Sequence, residues 1–161
     1  MNNFEDFFLK SEYEKLKAKD KLFEFNQIID WESLRPIVSD LYHNDTEKGG
    51  RPNIDEIVMV KVLFLQAVYD NPSDEKLEKE LIDRLTFRNF LNYPDQLPDA
   101  KTIWHFRELL TKTGTDKTLW KAIWKQFNNK GIKVKNGTIQ DATFIRQIQG
   151  TVTTKRTKEI Q

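Results

Sequence analysis

The sequence predicts a mainly α fold, a multi-helix N-terminal domain followed by one short C-terminal β-hairpin. Three observations predict it. Apolar residues recur at spacings of three and four through most of positions 4–127, the period of a helix face. Short clusters of Gly, Pro, Asn and Asp divide that pattern into helix-sized pieces. After Gly131 the period drops to two around Asn136-Gly137, the strongest short hairpin signal.

Positions 4–29 carry Phe4, Phe7, Phe8, Tyr13, Leu16, Leu22, Phe23, Phe25, Ile28 and Ile29 among charges, a loosely helical pattern with poorly marked ends. Asp30 is placed to cap a helix through Tyr42, with Trp31, Leu34, Ile37, Val38, Leu41 and Tyr42 on one face. Pro36 means that this helix either starts near Ser33 or kinks. Positions 44–53, with Gly49-Gly50-Arg51-Pro52, form a loop. Asn53 and Glu56 resemble a capping box for the helix over 54–69, which is apolar almost all round and therefore central.

Asn71-Pro72 ends that helix, and Ser73 caps the next, over 74–85, which turns Leu77, Leu81, Ile82 and Leu85 inward. A short helical piece over 86–91 brings in Phe87, Phe90 and Leu91, and a two-proline loop covers 92–98. Asp99 or Thr102 caps a helix to about Lys112 that buries Ile103, Phe106 and Leu110, and Gly114 stops it. Asp116 opens the last helix, with Leu119 or Trp120, Ile123, Trp124 and Phe127 inward, and Gly131 stops it. Domain 1–131 is thus helical, 132–145 is the hairpin, and 146–161 is a polar, basic tail expected to fray.

A chain of 161 residues with 11 Phe and 4 Trp suits one domain, or one domain and part of another. With no cysteine, disulfides, thiolate zinc sites and a cysteine nucleophile are excluded. His43 and His105 are too few and too far apart for a histidine metal site. No apolar run approaches the roughly 20 residues of a membrane span, and the acidic start lacks a signal-peptide pattern, so no membrane partner and a cytoplasmic location are expected. The net charge of +1 conceals a polarised chain. Residues 1–48 and 49–100 are each net −4, whereas 101–161 carry 13 Lys/Arg against 4 Asp/Glu, a net +9. Such a basic part suits an anionic partner, nucleic acid being the commonest, or serves as a solvated face that keeps the chain soluble.

Asp141 lies mid-strand between Ile139 and Phe144, where it is either a metal ligand or catalytic acid, or a strand-edge aspartate facing water. The helix over 102–112 directs Lys101, Trp104, His105, Arg107, Glu108 and Lys112 outward, fit for a DNA groove or simply solvated. Arg107, beside Phe106, has the further option of pairing with an internal acid. Trp120 and Trp124 stand one turn apart among Lys117, Lys121 and Lys125, a spacing that favours core packing over base stacking. The Gly49-Gly50 loop lacks the Gly-Lys-Ser/Thr ending of a phosphate-binding loop.

The order of several short motifs matches a known pattern. Gly50-Arg51-Pro52 precedes an apolar helix ending Gln66-Ala67-Val68-Tyr69. Ser73-Asp74, Phe87-Arg88-Asn89-Phe90-Leu91, Leu97-Pro98-Asp99, Thr102-Ile103, Phe106-Arg107 and Leu110 follow in turn. Lys130-Gly131, Asn136-Gly137-Thr138-Ile139 and Asp141-Ala142-Thr143 close the series. Over about residues 30–145 the chain resembles the N-terminal helical domain of prokaryotic insertion-sequence transposases of the DDE class, insertion sequence family five and its relatives.

That resemblance implies DNA binding at the terminal inverted repeats of an element, and a hairpin that begins an RNase H-like catalytic sheet. It makes Asp141 the first of three catalytic carboxylates and a ligand of Mg2+, in two-metal phosphoryl transfer. Candidate DNA contacts are Arg51, Lys101, His105, Arg107, Lys112, Lys121, Lys125, Lys133 and Lys135. Only 20 residues follow Asp141, with Glu159 their sole acid, whereas the rest of such a sheet needs on the order of 100. The expectation is a truncated transposase that binds DNA and is not catalytically competent alone. The alternative is a non-enzymatic interaction protein that associates with itself or with full-length transposase, for example to inhibit it, through the open edge of the hairpin.

Overall fold

The computed structural model describes residues 11–15, 17, 20–42 and 52–130. Among them the chain is helical, with no strand. The expected hairpin over 132–145 and the basic tail lie outside the described residues.

Residues 11–15 are helical, and Asp20 then caps α1 (Lys21–Ile28), its carboxylate accepting from the Leu22 N–H at 2.9 Å and from the Tyr13 hydroxyl at 2.7 Å. The long helix expected through Tyr42 is instead two short pieces, a 3-10 turn over Glu32–Leu34 and α2 (Arg35–Val38). Pro36 explains the break. It sits in the first turn of α2, where a missing N–H costs nothing. Asp30, expected as the cap, lies one residue ahead of Trp31, which holds the cap position of the 3-10 turn, and its carboxylate accepts from the Ser33 N–H at 3.2 Å.

The central helix is α3 (Glu56–Val68), capped by Asp55 rather than by the Asn53–Glu56 box. Asp55 accepts from the N–H groups of Ile57 and Val58, and Arg35 reaches across to the same carboxylate at 2.8 Å. That second bond favours Asp55 over Asn53, and it is invisible to local spacing. Every residue from Val62 to Val68 is buried, as expected of a helix apolar all round.

Ser73 caps α4 (Asp74–Asp83), which ends before Leu85. Leu85 begins α5 (Leu85–Phe90) and is only half-buried, and Ile82 is 58% exposed, so two of the four residues expected inside are not. The cause is a narrow apolar seam: the buried residues with which α4 faces α5 and α6 (Ala100–Thr113) are Leu77 and Leu81, one turn apart. Asp99 caps α6 by accepting from the Thr102 N–H at 2.7 Å.

Gly114, at φ +68°, is the single residue between α6 and α7 (Thr115–Asn129), which opens one residue earlier than expected. Leu119, Ile123 and Phe127 form the buried face of α7, while Trp120 and Trp124 are half-buried at its margin.

Phe64 of α3 is the hub of the core. Its ring meets Phe25 at 5.2 Å and Trp31 at 5.3 Å edge-on, and stacks toward Phe90 and Trp120. Gln126 of α7 ties the opening of the 3-10 turn to this core. It accepts from the Asp30 N–H and donates to the Asp30 carbonyl and the Ser33 hydroxyl.

Candidate nucleic-acid interface

In α6 the 3.6-residue period sets Ile103, Phe106 and Leu110 against the core. The same period places Lys101, Trp104, His105, Glu108 and Lys112 on the opposite face. Lys101, Trp104, His105 and Lys112 are exposed there. Lys112 lies 3.7 Å from Glu108, a solvent-exposed pair too weak to hold the ammonium in place.

Lys101 and His105 share a cleft of about 290 Å³ with Tyr42, Pro52, Ile54 and Leu97. Burial, aided by Glu56 and Asp55, pushes the Tyr42 hydroxyl up to about 12, so it stays a neutral donor at ordinary pH. Arg51 lies outside the described residues, but its neighbour in the chain, Pro52, lines this cleft.

In α7 the buried Leu119, Ile123 and Phe127 leave Lys117, Lys121 and Lys125 on the outer side at steps of four, all exposed. Between the outermost of these lysines the helix rises about 12 Å. No shape or groove is needed for such a row to meet a phosphate backbone, only charge and reach.

Arg107 has taken the internal-acid alternative. Its guanidinium spans the Asp74 carboxylate, with one bond at 3.3 Å and a shorter one to the other oxygen, and donates to Gln66 Oε1 at 2.9 Å. Gln66, itself buried, donates to Asp74 and to the Pro72 carbonyl, both at 2.8 Å. This network joins α3, α4 and α6, and it occupies the planar fork that a phosphate contact would use.

Lys133, Lys135 and Asp141 lie outside the described residues. Among the described residues no group of three or more His, Cys, Asp or Glu side chains is placed to hold a metal ion. One notable cation had no sequence signal beyond interrupting an apolar run. Lys61 of α3 donates to the Phe90 carbonyl at 3.0 Å and lies over the rings of Trp31 and Phe90, each 5.3 Å away. Burial lowers its ammonium to about 8.

A family model described as a transposase domain (DUF772) matches residues 10–109. The match takes in 100 of the 161 residues, from ahead of α1 to most of α6. The chain belongs to the transposase domain family. Within the transposase domain fall the central helix, the Gln66–Asp74–Arg107 network and the Lys101–His105 cleft. The lysine row of α7 lies beyond the matched span. No solved structure matches the chain. No helix among the described residues is long and apolar enough to cross a membrane.

Proposed function

We propose that this transposase-related chain is the DNA-recognition part of a DDE-class transposase, and that α6 and α7 meet the phosphate backbone at the terminal inverted repeats of its element. The observation that carries this reading is the sorting of charge. Residues 100–130 hold 7 Lys/Arg against 2 Asp/Glu, whereas residues 52–99 hold 5 against 10. The lysines of α6 and α7 project from faces opposite the core, where they are free to exchange counterions for phosphates. Membership of the transposase domain family supports DNA as the polyanion.

Asp141 keeps the role that resemblance gives it, the first carboxylate toward Mg2+, and is separate from recognition. Asp141→Asn should therefore leave DNA affinity unchanged. The test is fluorescence anisotropy with duplexes carrying the inverted repeat or a scrambled sequence, titrated with salt. Each neutralised phosphate should contribute about −0.9 to the log–log slope. Absence of binding to any duplex at low salt would sink the reading.

A further inference from the structure

Trp104 stands on the outer face of α6, 51% exposed. A half-exposed indole leaves one of the largest apolar surfaces of any residue in water, which the fold alone does not favour. Its neighbours Ile103 and Phe106 are fully buried, so the register of the helix, not poor packing, aims Trp104 outward. Among the described residues its ring has no aromatic partner and its N–H no hydrogen bond. Trp120, by contrast, stacks toward Phe64 within the core.

The surroundings of Trp104 identify its occupant. Lys101 precedes it by almost one turn, His105 adjoins it, and Lys112 lies two turns beyond, about 16 Å along the axis from Lys101. An apolar protein surface docked here would have to strip water from these ammoniums while pairing neither, with only the weak contact of Lys112 to Glu108, on the same face, to offset the loss. A nucleic-acid strand satisfies both features at once, phosphates meeting the lysines and a base meeting the ring. Bases inside an intact duplex are already stacked on both faces, so away from a duplex end it is an unpaired base that can lie on the indole.

We propose that Trp104 is a stacking platform for an unpaired base, and that Lys101, His105 and Lys112 seat a single-stranded segment of DNA across it. This rests on the DNA-binding reading above and names the form of DNA that this face takes.

The experiment measures the affinity of the full chain, by anisotropy, for a blunt duplex, the same duplex with a single-stranded overhang, and an oligothymidylate of about 15 nucleotides. Trp104→Ala should weaken oligothymidylate and overhang binding by about 5- to 150-fold, the range for one lost base stack, and Trp104→Phe should restore most of it. Blunt-duplex affinity should change less than about twofold, and the far-UV circular dichroism should not change, since the residue stands half in water on the outer face of the helix. Equal losses on all three probes, or none on the single-stranded ones, would overturn the proposal while leaving DNA binding intact. Preference for oligouridylate over oligothymidylate would overturn the choice of DNA. Failure of every probe to bind would remove both readings.

Discussion

Arg107 leaves 39% of its side chain exposed, yet its donors are spent on Asp74, only 15% exposed at its side chain, and on buried Gln66. Removing the guanidinium strands a carboxylate and an amide that the fold has largely desolvated. Arg107→Met should therefore lower stability by about 1–2 kcal/mol in urea unfolding, with Arg107→Lys recovering part, because an ammonium cannot span both oxygens. The same variant should leave the salt slope of DNA binding unchanged, and a slope flatter by about 0.9 would show instead that Arg107 reaches a phosphate.

Lys61 gives a pH dependence with a definite sign. In the folded chain burial lowers it to about 8, while the ordinary value is 10.5, so between these limits the unfolded state holds more protons. Stability should rise from about pH 8 to about pH 10, and Lys61→Met should abolish that rise in urea titrations across the window. Tyr42 and Tyr69, raised by burial, act in the opposite direction only above about 10, where unfolded tyrosines begin to ionise. A flat wild-type profile between 8 and 10 would count against the buried ammonium.

At the scale of elements, Gly114 alone turns the chain from α6 into α7 in the left-handed region. A Cβ there would meet nothing within 4 Å, so the penalty of Gly114→Ala is purely conformational, about 1 kcal/mol. Gly114→Asn should cost less, and thermal unfolding of the two variants separates backbone strain from packing. Gly114 was legible in the sequence because a helix stop is a local event, and so were Ser73 and Asp99 as caps. Spacing pointed to Asn53 as the cap of the central helix, whereas Asp55 holds that place and also accepts from Arg35, 20 residues away. Ile82 was misplaced because periodicity marks an apolar face without saying how wide a seam the neighbours leave. The same limit applied to the candidate site. The exposure of Lys121 and Lys125 followed from the opposing apolar face, whereas the partner of Arg107 lies 33 residues away and no local rule could select it.

At the scale of the whole molecule, the described chain from residue 52 onward divides into a net −5 stretch over 52–99 and a net +5 stretch over 100–130, although one core runs through both. A polyanion approaching such a molecule is drawn to its basic faces and repelled from its acidic ones, so the charge sets the approach before any specific contact forms. Charge alone does not say which helix touches phosphate, but the salt slope does. Replacing Lys117, Lys121 and Lys125 by Gln should flatten the log–log slope by about 2.7 if all three release counterions, and replacing Lys101 and Lys112 by about 1.8. All five side chains are exposed, so neither set should shift the unfolding midpoint appreciably. Flattening by the α7 set alone would make α7 the backbone-contacting helix and leave α6 to the unpaired base at Trp104. Unchanged slopes in both sets, with DNA still bound, would move the phosphate contacts off these helices to basic residues such as Arg51, Lys133 and Lys135.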